Sequence, residues 1–101
     1  MSIEQHSSRD SNEVRISVSG RFDFEEHQAF RAAYRHTPGP GTRYVVDLSR
    51  AEYMDSSALG MLLLLREHAG GDLADVRVTG APEGVRKVLD IANFGRLFTI
   101  T

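Results

Sequence analysis

Apolar and polar residues alternate near the start of the chain, and longer periods take over further on. Val14, Ile16 and Val18 are separated by Arg15, Ser17 and Ser19, which is the period of a half-buried strand. Gly20 punctuates its end, and Ile3 marks a weaker strand before it. Glu25 to Arg35 predicts a helix with Phe30, Ala33 and Tyr34 on one side and acids in its first turn. Pro38-Gly39-Pro40-Gly41 suits neither a helix nor a central strand and predicts a loop. Tyr44 to Leu48 is a short continuous apolar run, fit for a central strand covered on both faces. A short connection follows and ends in Met54-Asp55-Ser56-Ser57. Ser57 to Ala69 predicts a second helix, ended by Gly70-Gly71. Val76 and Val78 predict a further strand closed by Gly80. Pro82 stands at the start of a third helix, in which Val85, Val88, Leu89 and Ala92 form one stripe. Phe94, Leu97, Phe98 and Ile100 make a closing apolar cluster expected to pack on the sheet. Strands alternating with helices imply an α/β domain with crossover connections.

Composition narrows the chemistry. The 101 residues are expected to form a single domain, 1–101, with one buried core. The absence of cysteine excludes disulfides, thiolate zinc sites and thiol catalysis. A net charge of −2, with both signs interspersed, argues against a dedicated nucleic-acid binder. No apolar run has the length of a membrane span, and Met1 to Asp10 is polar rather than signal-like. The expectation is a cytoplasmic protein with no membrane association. His6, His27, His36 and His68 have no metal-ligand spacing, so neither a metal nor a cofactor is expected. No Gly-x-Ser-x-Gly elbow and no phosphate-cradling P-loop occur. A small hydrolase built on Ser56 lacks a base, and no enzymatic activity is expected.

The richest stretch runs from Tyr44 to Gly71. Two hydroxyls, Ser56 and Ser57, stand at the mouth of a strongly apolar helix, where unpaired N–H groups and the dipole favour negative charge. Taken alone, Asp55-Ser56-Ser57 reads first as a helix cap. A phosphoryl group there would change the surface charge by nearly two units. Met61 to Leu65 is five consecutive large apolar residues, which cannot all face one core at 100° per residue. Leu59, Leu62, Leu63 and the stem of Arg66 form one side; Gly60, Met61, Leu64 and His68 form the opposite side.

Asp55-Ser56-Ser57-Ala58-Leu59-Gly60, after a strand, resembles the signature of STAS domains, and in particular of bacterial anti-sigma factor antagonists. Gly20-Arg21-Phe22-Asp23 and Ala81-Pro82-Glu83-Gly84-Val85-Arg86-Lys87-Val88-Leu89 extend the resemblance over nearly the whole chain. It implies an α/β fold: a small mixed β-sheet with helices packed mainly on one side. It implies Ser56 as phosphoacceptor, with Ser57 its neighbour. It places Leu59, Leu62 and Leu63 inside, leaving Met61 and Leu64 near the surface. The domain could cover both faces, as around a central helix, but so small a domain has few elements to spare, and an exposed apolar patch for a partner is expected. Asp23, Asp55, Ser56, Ser57, Gly60, Met61 and Leu64 are the expected partner-binding residues, although Asp23 reads equally well as a cap for the helix near Glu25. Ala58 departs from the glycine usual in the family and stiffens the first turn.

The implied function is partner switching. The unphosphorylated form, a monomer when free, binds an anti-sigma factor that is itself a serine kinase, and so releases a sigma factor. Phosphorylation ends the interaction, and a metal-dependent serine phosphatase, with or without a fused response regulator, restores it. The alternative is a regulatory STAS subunit of a membrane transporter complex, whose members often lack the Asp-Ser-Ser/Thr pattern.

Overall fold

The early alternation becomes a hairpin: β1 (Ile3–Ser8) pairs antiparallel with β2 (Glu13–Phe22), setting Ile3 opposite Val18. The computed structural model describes residues 3–8 and 12–101, so the reading of Met1 to Asp10 as not signal-like lies partly outside the described residues. β3 (Arg43–Met54), β4 (Asp75–Thr79) and the two-residue β5 (Thr99–Ile100) follow, each parallel to the strand before it. The sheet order is β1-β2-β3-β4-β5. Parallel neighbours need crossovers, supplied by α1 (His27–Tyr34), α2 (Ser56–His68) and α3 (Glu83–Ile91). The strands advance in one direction across the sheet, and crossovers share one hand, so all three helices fall on the same face.

That face holds the core. Val14, Ile16 and Val18 of β2, Tyr44, Val46 and Leu48 of β3, and Val76 and Val78 of β4 are buried there. Phe30 and Tyr34 of α1, Leu62 and Leu65 of α2, and Val85 and Leu89 of α3 close over them. Burying each of the larger side chains contributes about 1.5–3 kcal/mol. Phe94 and Phe98 stack at 5.1 Å between ring centroids and join the same core, with Ile100 packed against it. Leu97 differs from expectation: it is exposed, because the short helical turn Phe94–Arg96 sends Phe94 and Phe98 inward together.

The opposite face is charged. Arg15 lies 3.8 Å from Asp47, and Asp75 pairs with both Arg43 and Arg77. β3 is central, yet only one of its faces lies under helices. On the open face Val45 alone is buried, in register with Arg15 and Arg77, whereas Asp47 remains partly exposed. The expectation of a strand covered on both faces is corrected accordingly.

Two boundaries also move. β2 does not end at Gly20, and the residues after Leu48 are not a loose connection. Pairing resumes after one register shift, with Ser19 opposite Arg50, and again after a second, with Phe22 opposite Met54. Gly20 adopts φ +76°, a conformation open to glycine, and so lets the strand bulge and continue. The Pro38–Gly41 loop is held tightly. Gly39 N–H donates to the buried Tyr44 hydroxyl (3.0 Å), which also meets Thr37 Oγ1 (2.6 Å). With φ +87° at Gly39, a Cβ there would stand 2.7 Å from the His68 carbonyl oxygen.

Candidate functional site

The C-terminal ends of β2 and β3 lie side by side, and each leads into a helical turn. Asp23 follows Phe22 and caps the short turn Phe24–Glu26, accepting from Glu25 N–H at 3.2 Å. Asp55 follows Met54 and caps α2 from an extended conformation. Its Oδ1 accepts from Ser57 N–H (3.0 Å), Ala58 N–H (3.3 Å) and the Ser57 hydroxyl (2.5 Å). The carboxylate therefore satisfies N–H groups that a helix start leaves unpaired. The Ser57 hydroxyl bond holds the Asp55 carboxyl below its ordinary range; partial burial opposes this, and the two N–H bonds and the Arg21 charge assist it.

The two serines thus differ. Ser57 is partly buried, and its hydroxyl is spent on Asp55. Ser56 is the first residue of α2, exposed, with no hydrogen bond from its hydroxyl among the described residues. Capping falls to Asp55, leaving Ser56 free, and α2 begins at Ser56 rather than at Ser57. Ala58 is fully buried, so its methyl group adds to the core while its N–H serves the cap.

Below Ser56 the helix presents two distinct faces. Ala58, Met61, Leu62, Leu65 and Ala69 are buried, at steps of three, one, three and four residues. Ser56, Gly60, Leu63, Leu64 and Glu67 are exposed and run down one stripe from the serine. Leu64 is 59% exposed, as expected of the patch. Met61 is a correction: at 6% exposure it belongs to the core. Leu63 is the converse correction, exposed at 38% although expected inside. Leu65 takes the inward place, and Leu59 is half-buried against the core. Gly60 has open space where a Cβ would stand.

Around the site, Tyr53 and Phe24 carried no signal in the sequence, and Arg21 carried one only as part of the Gly20-Arg21-Phe22-Asp23 match. Arg21 bonds Asp23 (Nε to Oδ2, 3.2 Å) and lies over the Tyr53 ring, 4.1 Å from its centroid. Phe24 is exposed and stacks on His27 at 4.8 Å. The clue to Tyr53 and Phe24 was their place near Asp55 and Asp23 at the strand ends. The structure therefore brings Asp23, Asp55, Ser56 and Ser57 to one end of the sheet, with Gly60 and Leu64 on the helix face leading away, and sets Met61 apart from them. Among the described residues no three His, Asp or Glu side chains could hold a metal ion together, and no helix is long and apolar enough to cross a membrane.

Comparison with known proteins identifies the family and the fold. The family described as "Mlab, STAS domain" matches residues 6–99. A STAS-domain containing protein of Pseudomonas aeruginosa (strain UCBPP-PA14) is 52% identical over 101 residues, covering 100% of both chains. Among solved structures, the anti-sigma factor antagonist SpoIIAA in its unphosphorylated form superposes with a TM-score of 0.76 at 17% identity, over 98% of this chain and 87% of that one. The Bacillus SpoIIAA in the phosphorylated form gives 0.69 at 16%, over 98% and 90%. An anti-sigma factor antagonist from Mycobacterium paratuberculosis gives 0.75 at 23%, over 98% and 85%. At these identities the structural likeness establishes the fold.

Proposed function

The chain belongs to the STAS domain family, and from that premise we propose that it is an anti-sigma factor antagonist switched by phosphorylation of Ser56. One observation carries the reading. At the mouth of α2 one serine is free and exposed, while its neighbour is bonded to the capping aspartate. A kinase can reach the Ser56 hydroxyl without breaking the cap. Ser57 is the poorer acceptor: phosphorylating it would remove the proton it shares with Asp55 and set two anions against each other. The structural neighbour SpoIIAA is known in unphosphorylated and phosphorylated forms, which supports a switch of this kind.

In this reading the unmodified domain, a monomer in the cytoplasm, binds an anti-sigma factor that is a serine kinase and so frees a sigma factor. The contact surface comprises Asp23, Asp55, Ser56, Ser57, Gly60 and Leu64, with Leu63 in the place first given to Met61. A metal-dependent serine phosphatase resets the switch. The domain itself performs no catalysis; it offers a surface whose charge others change.

The test is incubation of the purified protein with its cognate kinase and ATP, followed by mapping of the phosphosite. Phosphate on Ser56, lost in Ser56→Ala, supports the reading. Phosphate mainly on Ser57 overturns the assignment. Co-purification with a membrane transporter in place of an anti-sigma factor would favour the transporter-subunit reading.

A further inference from the structure

The exposed stripe of α2 does not end at Leu64. That residue forms one wall of a groove of about 360 Å³ between α1 and α2, lined by Arg31, Tyr34, Arg35, Leu64 and His68. Its floor is fixed. Tyr34 is buried, and the His68 ring packs 5.1 Å from it and 6.0 Å from the ring of Tyr44. His68 Nε2 bonds the Thr37 carbonyl at 3.1 Å, which sets the ring's orientation.

The rim is basic, and its charges are unmatched. Arg15, Arg21, Arg43, Arg66, Arg77 and Arg86 each face a carboxylate within 4 Å. Arg31 and Arg35, like Arg50, Lys87 and Arg96, have no such partner among the described residues; Arg35 reaches His36, at 3.1 Å. Arg31 lies in the last turn of α1 and Arg35 is its C-cap residue, so the two guanidinium groups stand one turn apart at the helix end whose dipole favours positive charge. Two arginines thus flank an exposed leucine on the α1 side, with Glu67 further along the α2 stripe.

We propose that this groove is a second docking element for the partner that reads Ser56, taking an acidic segment whose carboxylates meet Arg31 and Arg35 and whose apolar side chain covers Leu64. This rests on the partner-switching reading, and it divides the labour along α2. The serine end supplies the switch, and the groove supplies charge-steered recognition that phosphorylation does not touch. Leu64 belongs to both surfaces and joins them.

The experiment has two arms. In the first, affinity for the cognate anti-sigma factor is measured at low and high salt for the wild type and for Arg31→Glu/Arg35→Glu. Loss of roughly tenfold in affinity, with a flatter salt dependence and Ser56 still phosphorylated at saturating kinase, supports the proposal. Unchanged affinity and salt dependence overturn it, while Ser56 phosphorylation leaves the parent reading standing. In the second arm, amide shifts are followed on titration with a synthetic twelve-residue Glu/Leu peptide, its Lys/Leu counterpart, and phosphatidylglycerol vesicles. Changes at Arg31, Tyr34, Arg35, Leu64 and His68 with the acidic peptide alone, kept after Ser56 phosphorylation, support the groove even if no anti-sigma factor is found. An equal response to both peptides, or a response to vesicles and to neither peptide, overturns it.

Discussion

Phe22 and Met54 form the last pair of the parallel β2–β3 ladder, and the residue after each is an aspartate that caps the next helical turn. The register of two adjacent strands thus places Asp23 and Asp55 at neighbouring exits from the sheet. Both partner strands are parallel, so their helices also start at this end. The site is a consequence of topology: an end of the sheet where two helix starts and two carboxylates meet, with Arg21 joining them by its bond to Asp23 and its charge near Asp55.

Asp55 makes stability depend on acid. Its carboxyl is held low by Ser57, so folding favours the ionised form. The resulting stability is fully present above the unfolded value of about 3.9 and is lost as pH falls through the lower folded value. Asp47 acts in the same direction: burial opposes the shift, and hydrogen bonds from Ser49 with the charges of Arg15 and Arg50 outweigh it. Ser57→Ala should raise the Asp55 pKa and move acid unfolding to higher pH. Asp55→Ala should cost about 1 kcal/mol at neutral pH through loss of the cap. Carboxyl NMR titration and urea denaturation across pH check both. An Asp55 titration unmoved by Ser57→Ala contradicts the account.

The two faces of α2 give a sharper contrast. Leu64→Asp should leave the domain folded, with stability changed by about 0.5 kcal/mol or less. Leu65→Asp should unfold it, because the carboxylate would sit unpaired in the core. Met61→Ala should cost about 2–5 kcal/mol, as expected for a buried large-to-small change. Circular dichroism with urea denaturation decides. A folded Leu65→Asp variant would mean that the faces are assigned wrongly.

These same positions show how far the sequence could be read. Strand period, the helix-ending glycines Gly70 and Gly71 and the α3 stripe were legible because each had polar residues marking its boundaries, whereas Gly20 proved a bulge inside β2 and not its end. The run Met61 to Leu65 had none, so several face assignments fitted it. The discriminating signal lay in its flanks. Ala58 and Ala69 continue one stripe through Met61, Leu62 and Leu65, while Ser56, Gly60 and Glu67 continue the other through Leu63 and Leu64. The second half of β3 was hidden for a different reason. Its buried residues, Ala51 and Met54, are three apart because the ladder shifts register, and a period of two does not reveal them. The family signature singles out Ser56 as the expected phosphoacceptor; the bond from Ser57 to Asp55, which sets the two hydroxyls apart, is a matter of coordinates.

Gly60 separates stability from binding. It is helical, exposed, and has open space at its Cβ position. Gly60→Ala should therefore raise stability by about 0.8–1.0 kcal/mol, since alanine is the better helix former. The same methyl group stands between Ser56 and Leu64, where the partner is expected to approach closely. Partner affinity should fall while the denaturation midpoint rises. A gain in stability with unchanged binding would remove Gly60 from the contact surface.

Phosphorylation of Ser56 should block the complex directly, without refolding the domain. An added negative charge at a helix N-terminus is mildly favourable, by about 0.3–1 kcal/mol. Repulsion from Asp55 offsets part of this, so the free domain should keep nearly its original stability. The cap supports that expectation, because Asp55 bonds Ser57 and Ala58 rather than Ser56 and need not let go. In the complex the balance differs. The phosphate must shed water against the partner, and an unpaired buried charge costs several kcal/mol. A loss of about 4 kcal/mol weakens binding roughly a thousandfold. Disruption of the interface therefore outweighs the local effect on the helix. Ser56→Asp should imitate it only in part, with one charge and less bulk. Ser56→Ala should bind as the unmodified protein does and ignore the kinase. Amide shifts and partner affinity, compared for the modified and unmodified protein, provide the check. Shifts confined to the α2 start and its neighbours at Asp23 and Arg21, with binding lost, fit the mechanism. Changes spread across the sheet, or undiminished affinity after complete phosphorylation, rule it out.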